Sequence, residues 1–359
     1  MNSSLKDVLQ HFGIDGEAEP FGNGHINDTF VTVDEPKTVI QKINKSAFPR
    51  PDYVMENIVG VTEHIYNKVL AEGGDTSRCT IKMIKSTEGL YYYKNHDGEY
   101  YRAYHYIGGV KPDDGSIDLD RLYESARAFG NFQRLLADYP ADTLHETITD
   151  FHNTPVRFCQ LKSAIDNNKS GRLDSVKAEV EFALKREAEC ACVVEKIAEG
   201  KIPLRVTHND TKLNNVLLDE ETGVGVCVID LDTVMPGSLL YDFGDALRFG
   251  GSTGAEDEPD LSKIWFDSTR FEAFAKGFLE TLPSITEEEI KLLPFSVKLM
   301  TMECGIRFLA DYINGDVYFK TRYPAHNLVR ARTQFKLVED IEGKMDELNA
   351  IVESILNNK

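Results

Sequence analysis

The residues best suited to chemistry lie close together in the sequence, between positions 206 and 230. Asp210 follows His208 with one residue between them, Asn215 comes five residues after Asp210, and Asp230 ends an apolar run. Phosphoryl transfer needs little covalent help from a protein. It needs an oriented hydroxyl, a group that accepts its proton, and cations on the phosphate oxygens. The order and spacing of these side chains therefore predict a catalytic loop for phosphoryl transfer.

We expect each of these side chains to have its own task. Asp210 would act as the general base, orienting the acceptor hydroxyl and accepting its proton. Asn215 and Asp230 would hold Mg²⁺, because this ion prefers hard oxygen ligands and also bridges nucleotide phosphates. Lys212 could place a positive charge on the transferring phosphate, and His208 would support the loop through hydrogen bonds. The implied cofactors are ATP and Mg²⁺.

A purely structural interpretation of the same residues has to be weighed. Asn215 could be a turn residue, and Asp230 could make a turn at the end of a strand. However, apolar stretches at residues 216–218 and 226–229 flank these polar groups, and an unpaired polar group is costly there. The complete set favours the catalytic interpretation. The sequence leaves open whether Asp232 is a further metal ligand.

A glycine-containing segment near the start of the chain, residues 20–30, is a second candidate site. Gly22 and Gly24 flank Asn23 and would let backbone amides approach phosphate oxygens. Such a pair is also typical of an ordinary turn, but this one opens a β-rich region upstream of the predicted catalytic loop. We therefore expect Gly22, Asn23 and Gly24 to contact the nucleotide.

The strand predicted over residues 38–43 lacks the lysine that kinases place there to meet the phosphates. Gln41 occupies that position and Lys42 is next to it. Because neighbouring strand residues face opposite sides, Lys42 should point away from the site. Either Gln41 hydrogen-bonds the phosphates, or a one-residue bulge brings Lys42 in. Glu56 and Glu63, on a predicted helix, are alternative ion-pair partners for such a cation.

The elements that must position these residues fall into two regions. Before residue 108 the sequence predicts mostly strands with one helix over residues 53–70, and after it mostly helices. Residues 174–198 and 333–356 each read as one helix. We therefore predict an α+β fold with two lobes, a nucleotide-binding lobe over residues 1–107 and a catalytic, acceptor-binding lobe over residues 108–359.

Composition excludes several classes of function. The chain has 359 residues, with 40 Lys and Arg against 59 Asp and Glu, and a net charge of −19. This charge argues against binding to nucleic acid or to an anionic membrane. No apolar run reaches the length of a membrane span, and the six cysteines are scattered, which is typical of reduced thiols. We expect a cytoplasmic protein whose partners are small molecules.

Longer stretches of the sequence resemble the aminoglycoside phosphotransferase and choline kinase-like superfamily. The segments that carry this resemblance are VTHNDTKLNNVLLD and IDLDTVMPGSLLYDFGD in the middle of the chain. The flanking segments GNGHINDTF, LLPFSVKLMTMECGIRFLADYINGDVYF and YPAHNLVRARTQFKLV are similar to its N-acetylhexosamine 1-kinase branch. The resemblance implies a protein-kinase-like fold and transfer of the γ-phosphoryl group of ATP to O1 of N-acetylglucosamine or N-acetylgalactosamine. It also implies that Asp242 braces the catalytic loop.

The acceptor site is predicted from one late helix and from the same resemblance. Glu303, Arg307 and Asp311 follow one another at intervals of four residues on an otherwise apolar helix. They could form an internal ladder of salt bridges, or they could line the acceptor site. The resemblance implies that the sugar is contacted by Asp210 and by further residues across the chain: His25, Thr233, Phe249, Arg307 and Tyr318.

Two other functions remain as alternatives. The chain could phosphorylate another small hydroxyl compound, such as choline, homoserine, methylthioribose or an aminoglycoside. A cationic acceptor would favour an acidic or aromatic pocket, and Arg307 opposes this. The chain could instead be a nucleotide-binding pseudokinase scaffold. The presence of Asp210, Asn215 and Asp230 argues against a scaffold, whereas Gln41 argues mildly for one.

Overall fold

The computed structural model describes residues 3–22, 26–112 and 118–358. Its N-terminal region is an antiparallel sheet accompanied by two helices. The helices are α1 (Ser3–His11) and α2 (Pro51–Ala71). The strands are β1 (Ala18–Pro20), β2 (Asp28–Thr32), β3 (Thr38–Ile43), β4 (Met83–Ile84), β5 (Tyr93–Lys94) and β6 (Tyr100–His105). Among the described residues the strand order is β1-β2-β3-β6-β4, and β5 also pairs with β6.

The strand pattern explains how the sheet is covered. In β3 the side chain of Ile40 packs against α1, whereas Ile43 packs into the core that contains α2. This is the alternation that a β-strand imposes on neighbouring residues. Gln41 lies two residues before Ile43 and therefore shares its face, which is turned toward the rest of the molecule.

Five short strands lie in the second part of the chain and carry the catalytic segment. They are β7 (Val110–Pro112), β8 (Arg205–Thr207), β9 (Val216–Asp219), β10 (Gly225–Val228) and β11 (Met235–Gly237). In the described part of the chain, β10, β9 and β7 form one antiparallel sheet and β11 pairs with β8 in another. The predicted catalytic loop connects β8 to β9, and Asp230 follows β10.

The second part of the chain also contains helices, which loops and turns connect. They are α3 (Leu119–Leu135), α4 (Thr154–Asn167), α5 (Lys177–Leu184), α6 (Cys192–Ala198), α7 (Leu239–Gly250), α8 (Ser268–Thr281), α9 (Glu287–Asn314), α10 (His326–Gly343) and α11 (Met345–Asn357). Helix α9 is buried along most of its length and packs against α7 and α10. It begins with a capping box between Thr286 and Glu289 and ends at Gly315, whose φ of 99° suits glycine.

The α+β fold is confirmed, but two helix predictions are wrong in detail. The helix predicted over residues 174–198 is divided into α5 and α6, with 3₁₀ turns before each of them. After α5, the Arg186 guanidinium donates a hydrogen bond to the Phe182 carbonyl. This side chain therefore occupies a backbone oxygen at the end of the helix. The helix predicted over residues 333–356 is interrupted at Gly343, a residue that favours helix ends. No helix in the described ranges has the length and apolar character needed to cross a membrane.

Candidate active site

The catalytic loop is held by the carboxylate of Asp242, in the first turn of α7. Its Oδ2 accepts hydrogen bonds from the His208 amide at 3.0 Å and from Gln133 Nε2 at 2.8 Å. Its Oδ1 accepts from the Asn209 amide at 2.8 Å. Asn209 has a left-handed φ of 64°, which asparagine tolerates better than most residues. Asp242 thus braces the turn that leads into Asp210, as the resemblance implied.

His208 supports the loop from the other side. Its Nε2 lies 2.9 Å from the carbonyl oxygen of Ile229, which can only accept a hydrogen bond. Its Nδ1 is then the unprotonated nitrogen and accepts from the Asp210 amide at 3.3 Å. One ring nitrogen therefore binds the strand end beside Asp230, and the other binds the backbone of Asp210. This arrangement fixes the ring in one tautomer and occupies both nitrogens.

Asp210 faces Lys212 across a short ion pair. Lys212 Nζ lies 2.8 Å from one carboxylate oxygen of Asp210 and 3.2 Å from the other. Desolvation opposes the lysine charge, but Asp210 and Asp245 outweigh it, so the pKa of Lys212 is raised. Both side chains reach the surface of the loop, where a substrate can approach. The structure brings a carboxylate and a cation together at the predicted point of reaction.

A backbone hydrogen bond holds Asn215 beside Ile229, the residue that precedes Asp230. The Ile229 amide donates to the Asn215 carbonyl at 2.9 Å, and Asn215 Nδ2 donates to the Asp210 carbonyl at 2.8 Å. The side-chain oxygen of Asn215 has no hydrogen-bond donor among the described residues. Asp230 follows in a left-handed conformation, with φ of 60°, and its side chain is exposed.

The surroundings of Asp230 fit a divalent cation. Desolvation, together with the carboxylates of Asp232 and Asp210, raises its pKa to about 6. Its carboxylate has no hydrogen bond or ion pair within the described part of the chain. A cation would relieve the repulsion between these carboxylates. The described residues contain no group of three or more His, Cys, Asp or Glu that could hold a metal alone. Any ion here would need ligands beyond these side chains.

Gln41, which the sequence predicted to meet the phosphates, has both ends of its amide in contact with other side chains. Its Oε1 accepts from Arg102 Nε at 2.9 Å and from Arg102 Nη2 at 2.7 Å, and its Nε2 donates to the Thr29 hydroxyl at 3.1 Å. These partners are brought together by strand pairing, since Gln41 faces Arg102 across β3 and β6. The alternative with Lys42 is wrong, because the register has no bulge there and Lys42 lies 3.5 Å from Glu99.

Arg102 is the residue near the site that the sequence interpretation missed. Its guanidinium is buried and forms a hydrogen-bonded ion pair with Asp232, whose second oxygen accepts from Asn27. Desolvation opposes the charge on Arg102, but the neighbouring Asp232 raises the pKa of the guanidinium. Both oxygens of Asp232 are therefore occupied. Pairing the segment YYRAYH with TVIQKI would have placed Arg102 opposite Gln41.

The predicted ion-pair partners on α2 have other contacts. Glu56 pairs with His145, and Glu63 accepts a hydrogen bond from the Tyr91 hydroxyl. Neither contact involves β3. At the glycine segment, Gly22 has a left-handed φ of 73° with open space around it. Three predicted site residues lie outside the described residues: Asn23, Gly24 and His25.

On the acceptor side, the salt-bridge ladder along α9 does not form. Glu303 pairs with His152, and Asp311 accepts hydrogen bonds from the backbone amides of residues 317, 318 and 319. Arg307 lies between them and has no hydrogen bond or ion pair to any described residue. Its guanidinium carbon is 5.6 Å from the centre of the Phe151 ring and 5.7 Å from that of Phe319.

The remaining predicted acceptor residues occupy different positions. Tyr318 is 71% exposed on the loop that Asp311 holds, and Phe249 is 41% exposed at the end of α7. Thr233 is buried, and its hydroxyl donates to the His208 carbonyl at 2.7 Å. Thr233 thus supports the catalytic loop directly.

Comparison with known proteins bears on the family and on the overall fold. Residues 17–274, well over half of the chain, match the model of a family described as the phosphotransferase enzyme family. A microcompartment-associated aminopropanol kinase has a similar structure, with a TM-score of 0.64 and 14% identity over 97% of this chain and 98% of that chain. The match to an aminoglycoside phosphotransferase from Alicyclobacillus acidocaldarius has a TM-score of 0.63, with 13% identity over 97% and 96%.

An amicoumacin kinase is also similar, with a TM-score of 0.60 and 13% identity over 96% of this chain and 94% of that chain. Its structure was determined in complex with AMP-PNP, Ca²⁺ and Ami. At such low identities these similarities establish the kinase-like fold. They do not transfer a substrate.

Proposed function

The chain belongs to the phosphotransferase enzyme family and acts on an alcohol group, and we propose that its acceptor is an N-acetylhexosamine. In this proposal the γ-phosphoryl group of ATP is transferred to O1 of N-acetylglucosamine or N-acetylgalactosamine. The products are the sugar 1-phosphate and ADP. We also propose that residues 1–107 form the nucleotide-binding lobe and residues 108–359 the acceptor lobe.

Asp210 is the proposed general base, because its carboxylate is accessible and its backbone is held on both sides. The anomeric hydroxyl is more acidic than an ordinary alcohol, so a carboxylate is a sufficient base for it. Lys212 balances the charge of Asp210 and lies where it can meet the transferring phosphoryl group. Asn215 and Asp230 would hold Mg²⁺, which supplies charge neutralisation on the phosphate oxygens.

The observation that carries the choice of acceptor is the guanidinium of Arg307, which has no hydrogen bond or ion pair within the described part of the chain. Arg157 is close to it, since desolvation and then the charge of Arg307 lower the pKa of Arg157. Arg157 donates to the Phe151 carbonyl at 2.7 Å and has no carboxylate partner among the described residues. In a chain of net charge −19, two neighbouring guanidinium groups, neither of them in an ion pair with a carboxylate of the described residues, oppose a cationic acceptor. They favour hydroxyl and carbonyl oxygens.

This electrostatic setting separates the chain from two of the similar structures. An aminopropanol or an aminoglycoside brings an amino group, which is cationic at neutral pH. The guanidinium groups of Arg157 and Arg307 would repel it. A neutral amino sugar whose nitrogen is acetylated offers oxygen acceptors instead. The aromatic rings of Phe151 and Phe319 beside Arg307 are suited to packing against a sugar ring.

The test is the release of ADP over a panel of acceptors. The panel contains N-acetylhexosamines, glucosamine, choline, aminopropanol and an aminoglycoside, and phosphorus NMR identifies the phosphorylated position. We expect turnover of the N-acetylhexosamines at O1. Preferential turnover of an amine would refute the proposed acceptor, and the absence of turnover on any compound would favour a scaffold.

Two variants test the assigned residues. Replacing Asp210 with Asn should abolish acceptor-dependent ADP release while nucleotide binding persists, and unchanged turnover would refute its role. Arg307→Ala should raise the KM for the sugar far more than the KM for ATP. Arg332 is the matched control, because its guanidinium already has a carboxylate partner, Glu179 on α5, at 2.6 Å. Arg332→Ala should leave both KM values unchanged.

A further inference from the structure

A buried histidine behind the catalytic loop has no place in the mechanism above. His152 precedes α4 and its side chain is 6% exposed, while that of Glu303 on α9 is 1% exposed. His152 Nδ1 lies 2.8 Å from Glu303 Oε1, and Nε2 lies 3.2 Å from the Asn209 carbonyl oxygen. The Thr154 hydroxyl donates to the other oxygen of Glu303 at 2.7 Å.

The partners of the two ring nitrogens determine the protonation state of the pair. The Asn209 carbonyl can only accept a hydrogen bond, so Nε2 must carry a proton. An ionised Glu303 can also only accept, and Nδ1 must then carry a proton as well. Burial opposes the charge of Glu303, but His152, Arg307 and the Thr154 hydroxyl outweigh it and lower its pKa. An ionised Glu303 therefore requires that both ring nitrogens of His152 carry a proton.

The bond to Asn209 connects this ion pair with the catalytic carboxylate. Asn209 adopts the left-handed conformation immediately before Asp210, and its amide is already held by Asp242. The bond from His152 holds its carbonyl, so both ends of the residue are fixed. On α9, Glu303 lies one helical turn before Arg307. The pair thus joins the acceptor helix to the loop that carries Asp210.

We propose that His152 is a positioning residue which, as an imidazolium paired with Glu303, holds the Asn209 carbonyl and so fixes the orientation of Asp210. This inference rests on the proposed role of Asp210 as the base. The loss of one proton from His152 leaves a hydrogen for only one of its two partners. Deprotonation therefore releases either Glu303 or Asn209, and Asp210 loses its alignment with the acceptor.

The charged and titratable groups around His152 come from three elements. On α9 they are Glu303 and Arg307, and on α7 they are Tyr241, whose ring centre is 5.3 Å away, and Asp245. Asp150 precedes His152 on the same turn. Glu303 is the group in hydrogen-bond contact with the ring, so its replacement removes the direct stabilisation of the imidazolium.

The protonation state can be measured without any acceptor. Nitrogen-15 NMR of histidine-labelled protein reports the state of each ring, and the His152 signals are those lost in His152→Gln. At neutral pH we expect both His152 nitrogens to have imidazolium shifts. One unprotonated nitrogen would overturn the inference. In Glu303→Gln the amide can donate to an unprotonated Nδ1, so the ring no longer needs its charge, and we expect a neutral ring that keeps its bond to Asn209.

The positioning role is tested by kinetics and by hydrogen exchange. In His152→Gln we expect kcat to fall by about 10²-fold, the cost of a small misalignment of a catalytic group, with the KM for ATP unchanged. Glu303→Gln, which allows the ring to keep both of its hydrogen bonds, should retain most of kcat. An unchanged kcat in folded His152→Gln would overturn the positioning role. His64→Gln, at a partly exposed histidine paired with Asp138, is the control and should match the parent protein.

Hydrogen exchange distinguishes failure of this inference from failure of the proposed function. Amides of residues 208–211 should exchange faster in His152→Gln than in the parent protein, whatever the acceptor. Unchanged exchange in this variant would overturn the inference even if an acceptor is found. Faster exchange together with no turnover of any acceptor would support the positioning role of His152 and refute the kinase assignment.

Discussion

The buried ion pair between Arg102 and Asp232 allows a quantitative prediction. The two side chains are 3% and 4% exposed and join the N-terminal sheet to the segment after Asp230. Gln41 accepts two hydrogen bonds from the guanidinium, and Asn27 donates one to the carboxylate. The guanidinium and the carboxylate are thus both hydrogen-bonded within this network. Removing one partner therefore leaves a buried charge without compensation.

The magnitude follows from the burial of both charges. Two unit charges about 4 Å apart in a protein-like medium attract each other by about 4 kcal/mol. Breaking a buried pair by removing one partner typically costs about 3–5 kcal/mol, whereas replacing both partners is often nearly neutral. We therefore expect Arg102→Met to lower the free energy of unfolding by about 3–5 kcal/mol. The double variant Arg102→Met/Asp232→Asn should lose much less than the sum of the two single variants.

The assay is a double-mutant cycle in chemical denaturation, followed by circular dichroism. The expected coupling energy between Arg102 and Asp232 is at least about 2 kcal/mol, in the upper part of the range for contacting residues. The matched control is the exposed pair Lys185 and Glu181, for which we expect a coupling of less than about 1 kcal/mol. Additive effects of the Arg102 and Asp232 variants would refute the reasoning.

Three further predictions concern stability and accessibility. Gly244→Ala should destabilise the fold by about 1–3 kcal/mol in the same assay, because its new Cβ would lie 2.3 Å from the Ser296 carbonyl oxygen. Asn57→Ala should cost at least about 1–3 kcal/mol, because this buried amide donates to two carbonyls, at 2.8 and 2.9 Å. At pH 8, iodoacetamide should modify exposed Cys159 and spare Cys190, since burial raises the pKa of Cys190 to about 12, as peptide mass spectrometry would show.

The grouping of the proposed catalytic residues was predictable because they are close in sequence. His208, Asp210 and Asn215 lie on one connection between two strands, and Asp230 ends the next hairpin. Local spacing then determines which groups meet. The α+β fold was predictable for a similar reason, since alternating strands give way to helical periodicity after residue 108.

The contacts that sequence reasoning missed all depend on distant partners. Arg102 meets Gln41 through strand register across 61 positions and Asp232 across 130 positions. His152 reaches Glu303 across 151 positions. The spacing of charges on α9 suggested a ladder, but the neighbouring elements supplied other partners to Glu303 and Asp311. Arg307 has no such partner among the described residues. This depends on the packing of the whole lobe, which the local sequence pattern does not determine.

The measurement that tests the central claim most directly is a comparison of one sugar with and without its acetyl group. Initial rates of ADP release with N-acetylglucosamine and with glucosamine are measured in the parent protein and in Arg307→Ala, and phosphorus NMR identifies each product. The account predicts a strong preference for the acetylated sugar, phosphorylated at O1, and a smaller preference in Arg307→Ala. A preference of the parent protein for glucosamine, or phosphorylation at another hydroxyl, would contradict it.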